Sequence, residues 1–170
     1  MPSFERRTIG RNVLSVTSLG FRGVGLGQPI GAISEAHSEA TLNAALEAGV
    51  EYFDTSPWYG HCLSEHRTGH VLRTRPRHSY VLSTKVGRLF FRPDDPEKFT
   101  TKVWVDGLSF DYRFDYTADG IRRSYEDSLQ RLGVNRIDML FVHDLDARLD
   151  AGDANGSEIG GITGAIEQLD

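Results

Sequence analysis

Apolar positions recur along this chain with two periods, one near 3.6 and one near 2, and the two alternate. In "TADGIRRSYEDSLQRLGV" (Thr117 to Val134), Ile121, Tyr125, Leu129 and Leu132 fall at i, i+4, i+8 and i+11, the spacing of one helix face. Thr117 can cap it and Gly133 can end it. "SEAHSEATLNAALEAG" (Ser34 to Gly49) also predicts a helix, with apolar Ala40, Leu42, Ala44, Ala45, Leu46 and Ala48, candidate caps Ser34 and Ser38, and a stop at Gly49. "SEHRTGHVLRT" (Ser64 to Thr74) predicts a shorter one, capped by Ser64 and stopped ahead of Pro76.

Between these lie short runs rich in β-branched and aromatic residues. "RRTIGRNVLSVTS" (Arg6 to Ser18) predicts a hairpin around Gly10-Arg11-Asn12. "LGFRGVGLG" (Leu19 to Gly27) predicts a short buried strand running into a flexible Gly-rich loop. "VEYFDTS" (Val50 to Ser56), "SYVLSTKVG" (Ser79 to Gly87) and "IDMLFVHDL" (Ile137 to Leu145) are the remaining strands. The last is almost continuously apolar, as expected of a strand covered on both faces. Residues 88–116, rich in aromatics, Pro and Asp, predict one long loop, either a flap on the substrate side or a surface packed on the outer helices. A polar stretch follows, and "ITGAIEQLD" at the end of the chain predicts the start of a fourth helix. Strict β/α alternation implies a parallel sheet with right-handed crossovers. A doubly wound open sheet and part of a (β/α)8 barrel both fit.

The 170 residues, 39% hydrophobic and 25% charged, suit one soluble domain spanning 1–170. A net charge of −5 argues against nucleic-acid binding, which needs a basic face. No apolar run reaches the ~20 residues of a membrane span, and "MPSFERRTIG" lacks a signal-peptide core. The single cysteine, Cys62, excludes an internal disulfide and fits a reducing compartment, so a cytoplasmic location is expected.

The candidate chemistry sits at the C-terminal ends of the predicted strands, where active sites of barrels and open α/β sheets form. Asp54 ends the second strand, Tyr59 follows in its loop, Lys85 ends the third, and His143 ends the fourth. A phenol titrates near ~10 in water, an ammonium beside it favours the phenolate, and a carboxylate holds the ammonium. An imidazole alongside can orient a substrate oxygen. The set suits proton transfer during reduction of a carbonyl or oxidation of an alcohol, and it needs a separate hydride carrier. "GVGLGQP" does not supply a dinucleotide fingerprint: Gln28 stands where the third glycine belongs and Pro29 follows. His61, Cys62 and His66 match no common zinc spacing. No metal is expected, and His66 is read as a solvated helix residue.

These residues also carry a resemblance. "DTSPWYG", "SEHRTG", "VLSTKVG" and "DMLFVHD" resemble the aldo/keto reductases, whose pattern is Asp-Thr-Ala-x-x-Tyr-Gly, a following Glu-x-x-x-Gly, a strand-end lysine and a strand-end histidine. "YGHCLSEHR", "STKVGRL" and "VHDLD" look most like the branch of sugar and pyridoxal dehydrogenases. The resemblance runs from about Glu5 to Asp146 and implies a catalytic tetrad of Asp54, Tyr59, Lys85 and His143. It also implies NADP or NAD as cofactor, a sugar or aldehyde substrate, and a (β/α)8 barrel opened by the hairpin. Trp58, His61 and Asp144 are expected at the substrate pocket.

Two positions depart from the pattern: Arg22 replaces a usual glycine in "GFRG", and Cys62 another. The length departs further, since such a barrel takes ~250 residues. The chain reads as the N-terminal half: a hairpin (1–18), four β/α units (19–146), and a loop with the start of the fourth helix (147–170). The main cofactor-binding residues are expected beyond Asp170. The half-barrel would expose strand edges and be prone to self-association. An inactive half-barrel serving as an assembly module, and a metal-dependent barrel hydrolase, are the alternative readings.

Overall fold

The two periods become strands and helices in the computed structural model, which describes residues 4–9, 14–101 and 103–145. Strands β1 (Arg6–Ile9) and β2 (Leu14–Thr17) pair antiparallel as the predicted hairpin. Next come β3 (Gly20–Arg22), α1 (Glu35–Glu47), β4 (Tyr52–Asp54), α2 (Leu63–Leu72) and β5 (Val81–Val86). After them come β6 (Arg88–Phe91), β7 (Asp111–Phe114), α3 (Ala118–Leu132) and β8 (Met139–Val142). The predicted fourth helix lies outside the described residues.

β3, β4, β5 and β8 form one parallel sheet in that order, with α1, α2 and α3 in the successive crossovers. Doubly wound sheets reverse strand order at a switch point. The described strands step in one direction only, which is how successive units of a (β/α)8 barrel are arranged. The register aligns Arg22 with Asp54 and Asp54 with Ser83, and pairs Lys85 with Phe141. The strand ends that carry the candidate residues therefore lie side by side.

The core lies between the sheet and its helices. Leu42, Phe53, Leu72, Leu82 and Leu132 are fully buried there, each side chain contributing roughly 1.5–3 kcal/mol. The opposite face is open, which corrects two expectations. Phe141 on β8 is 46% exposed, so this apolar strand is covered on one face only. β3 is not buried either, since Gly20 and Arg22 are exposed. The face that Lys85 and Phe141 share lines an open cavity bounded on its other side by hairpin residues Arg7, Ile9 and Val16.

Three further expectations change. Ser64 does not cap α2: the N-cap is Cys62, at φ +79, while Ser64 is buried inside the helix and donates to the Gly23 carbonyl at 2.7 Å. The Gly-rich loop is a 3-10 turn, Gly23–Gly27, held by Arg67 Nη1 on the Leu26 carbonyl at 2.7 Å. The long aromatic segment is an excursion whose two ends, β6 and β7, pair antiparallel.

Helix α2 is clamped between β5 and α3. Glu65, wholly buried, accepts from Thr84 Oγ1 at 2.6 Å and from Arg131 Nε at 2.5 Å. One turn later Gly69 lies so close to α3 that a Cβ would stand 2.3 Å from the Leu132 carbonyl oxygen. Alanine gains about 1 kcal/mol of helix propensity over glycine, whereas overpacking against fixed backbone costs about 3 kcal/mol. Gly69→Ala is therefore expected to lower stability by about 2 kcal/mol, read as the urea midpoint. Gly25→Ala, with open space around it, should stay within about 0.5 kcal/mol.

Candidate active site at the strand ends

After Asp54 the chain makes two tight turns that set Tyr59 over the end of the sheet. Thr55 N–H bonds the Ser83 carbonyl at 3.0 Å, Tyr59 N–H the Ser56 carbonyl at 3.1 Å, and Cys62 N–H the Pro57 carbonyl at 2.7 Å. Ser56 Oγ also accepts from Trp58 N–H at 3.1 Å. His61 and Cys62 then take left-handed backbone, φ +49 and +79, to enter α2.

Lys85 reaches across from β5. Its Nζ donates to Asp54 Oδ1 at 2.9 Å, Asp54 Oδ2 at 2.8 Å and the Thr55 carbonyl at 2.9 Å. An ammonium has three protons, so all are engaged and the cation is fixed. Ser83 Oγ donates to Asp54 Oδ1 at 2.7 Å and is itself hydrogen-bonded to Tyr52 OH at 3.1 Å. Lys85 Nζ lies 4.9 Å from the centroid of the Tyr59 ring.

His143 follows β8, with its N–H on the Val86 carbonyl at 3.0 Å and its carbonyl accepting from Tyr116 OH at 2.8 Å. Its ring stands edge-on to Tyr59, centroids 6.0 Å apart, and its Nδ1 is hydrogen-bonded to Ser56 Oγ at 3.1 Å. Burial pushes this imidazole down to about 4; the Arg88 charge lowers it further, Asp144 opposes, and Lys85 adds to the depression. The four strand-end residues are thus one cluster.

The residues expected at the substrate pocket divide. Trp58 packs edge-on to Tyr112 at 4.9 Å and to Trp104 at 5.8 Å. Trp104 in turn lies 6.0 Å from Tyr59, so the aromatic excursion covers the turn that carries Tyr59. His61 is 3% exposed and donates from Nδ1 to the Phe110 carbonyl at 2.5 Å. Burial lowers its pKa, with the Phe110 carbonyl opposing. Trp58 and His61 share a cavity of about 440 Å3 with Phe99, Asp111 and Tyr112. Asp144 is paired with Arg88, and its Oδ1 is 3.7 Å from His143 Nε2.

Sequence reasoning passed over Ser56, Ser83 and Arg88, because isolated serines and an arginine three residues past Lys85 carry no periodic signal. Arg22, noted only as a departure, brings Nη2 to 3.4 Å from Tyr59 OH, a long contact. His66 is exposed on α2. Among the described residues no three His, Cys, Asp or Glu side chains converge as metal ligands. Burial raises the Cys62 thiol to about 12, whereas a ligand must be a thiolate. No helix among the described residues is long and apolar enough to cross a membrane.

The family model described as "Aldo/keto reductase family" matches residues 18–170. The chain belongs to the aldo/keto reductase family. It is 42% identical to a pyridoxal 4-dehydrogenase of Microbacterium luteolum, over 83% of this chain and 43% of that protein. It is also 42% identical to a D-threo-aldose 1-dehydrogenase of a Pseudomonas species, over 77% of this chain and 41% of that one. In structure it resembles the aldo-keto reductase AKR11C1 of Bacillus halodurans in its holo form. The TM-score is 0.61 at 25% identity, over 94% of this chain and 48% of that chain. The chain therefore spans somewhat under half the length of the curated relatives it matches.

A histidine held near 4 when folded, against 6.5 ordinarily, binds its proton more readily in the unfolded chain. Stability is therefore expected to fall as pH drops from about 6.5 to about 4. His143→Gln should flatten much of that slope, and buried His61 should retain part of it. Urea midpoints at pH 7 and pH 4.5 measure this; an equal drop in both proteins contradicts the burial account.

Proposed function

We propose that this chain carries the proton-transfer half of a nicotinamide-dependent oxidoreductase acting on an aldose or a related aldehyde. The observation that carries this reading is the Tyr59 phenol, flanked by a fully engaged Lys85 ammonium and a His143 imidazole at one end of a parallel sheet. Tyr59 gives its proton to the carbonyl oxygen in reduction and takes it from the alcohol in oxidation. The Lys85 ammonium and the Arg22 guanidinium flank the phenolate left behind. Asp54 holds Lys85 in place. His143, neutral above about pH 4, has Nδ1 tied to Ser56, so Nε2 is the nitrogen that meets the carbonyl oxygen and orients it.

The donor set fits a nicotinamide beside it. An open cavity of about 580 Å3 runs along the sheet from Arg22, Asp54 and Lys85 to Arg7, Ile9 and Val16 of the hairpin; it meets the cluster at Asp54 and Lys85, and no side chain lining it can carry hydride. The nicotinamide, NADP or NAD, supplies or accepts the hydride when bound. Arg22, Asp54 and Lys85 would face it. The aldose and pyridoxal dehydrogenase relatives support the substrate class. A cytoplasmic location accords with the single cysteine, and self-association through the edges of β3 and β8 accords with the exposed Phe141 face.

The test follows absorbance at 340 nm with NADPH or NADH and a panel of aldoses and pyridoxal. Turnover is expected with at least one pair, and Tyr59→Phe should reduce it about 10²–10⁴-fold. Turnover undiminished in Tyr59→Phe, or none with any pair, overturns the reading for this chain. Sedimentation over a range of concentrations checks the association: mass should rise with concentration, and a constant monomer contradicts it.

A further inference from the structure

One buried charge beside the site has no part in the chemistry above. Arg88 opens β6 directly after Gly87, whose φ of +105 bends the chain where a Cβ would stand 2.3 Å from the Tyr116 ring. The bend carries the guanidinium under the aromatic layer. Its Cζ lies 4.6 Å from the Phe114 ring centroid, 4.8 Å from Trp58 and 5.6 Å from Tyr112. Arg88 is 6% exposed, and its Nε and Nη1 are buried with no hydrogen-bond partner. Aromatic faces return part of the lost hydration, yet orphaned buried donors are unfavourable and call for a reason.

The reason lies at the remaining nitrogen. Arg88 Nη2 pairs closely with Asp144 Oδ2. Asp144, at φ +54 directly after His143, keeps its other oxygen 3.7 Å from His143 Nε2, beyond hydrogen-bond distance. A carboxylate this close to an imidazole would ordinarily capture it as an ion pair. We infer that Arg88 is a positioning residue for His143: it claims the Asp144 carboxylate and withholds it from the imidazole, leaving Nε2 free for the substrate oxygen.

Every charged group around the ring agrees with this division. Lys85 and Asp54, from the sheet, face His143 as a closed pair. Arg88 faces it from β6, and Asp144 from its own segment. Ser56 and Tyr59, from the turn after β4, are uncharged partners. Without the Arg88 charge, Asp144 would close on Nε2, the imidazole would protonate at higher pH, and Nε2 would be spent on the carboxylate.

The role of Nε2 rests on the proposed oxidoreductase reading, but the test needs no turnover. The imidazole C–H resonance of His143 is followed against pH by NMR in the full chain. The midpoint is expected near 4 in the parent, about one pH unit higher in Arg88→Gln, and restored in Arg88→Gln/Asp144→Asn. Asp144→Asn alone, at a side chain 44% exposed, should move it down. A folded Arg88→Gln with an unmoved midpoint overturns the inference, as does a double variant as high as Arg88→Gln. Should Arg88→Gln not fold, Arg88→Lys, which keeps the charge but lacks the fork, is expected to rise by about 0.5 unit; no rise overturns the inference. Predicted shifts in a protein that turns over no substrate would sink the activity and leave the positioning intact.

Discussion

A part-buried ammonium shared between two carboxylate oxygens and a carbonyl fixes where β4 and β5 end relative to each other. Taking a Lys–Asp pair out of water is unfavourable unless every donor is satisfied, and here every donor of Lys85 is. The pair can form in one register only. Slipping β5 by a single residue would turn Lys85 to the helix-covered face, where Leu82 and Phe53 pack. Ser83, aligned with Asp54, supplies a further donor to the carboxylate and fixes its rotation. The interaction that prepares the site is thus also the one that sets the sheet, so site and fold are specified together.

The neighbouring Glu-x-x-x-Gly pattern has a different purpose. Glu65 and Gly69 sit one turn apart on α2, but neither faces the mouth. Glu65 is spent on Thr84 and Arg131, and Gly69 on its approach to Leu132. Glycine is required there by the α3 backbone, and the glutamate by two partners on different elements. Their effect on chemistry is indirect: α2 begins at the turn bearing Tyr59, so α2 held against β5 and α3 holds that turn as well.

The convergence of Asp54, Lys85 and His143 was legible in the sequence because each falls at or just past the end of a short β run, with Tyr59 in the loop after one, and parallel topology brings such ends together. The helices were legible because caps and apolar spacing coincide, as at Thr117, Ile121 and Gly133. What stayed hidden depends on long-range contact. Pairing of β6 with β7 joins segments about twenty residues apart with no turn signal between them. Ser64 resembles a cap locally but is drawn inward by Gly23 and Thr55, leaving the cap to Cys62. The open face of β8 was invisible because an apolar run reads the same whether or not a second layer covers it.

Two cations flank the phenol, and their freedom differs. Lys85 has no donor left for a substrate; its effect on Tyr59 is through charge alone. Arg22 meets the same oxygen across 3.4 Å and has no ion-pair partner among the described residues, so most of its planar fork still faces the cavity. On the proposed reading, a carbonyl oxygen at Tyr59 would find a free donor on Arg22 and none on Lys85. A glycine at this position would offer no such donor. On this chain the first strand therefore contributes a directional cation to a mouth whose other charges are already committed to one another.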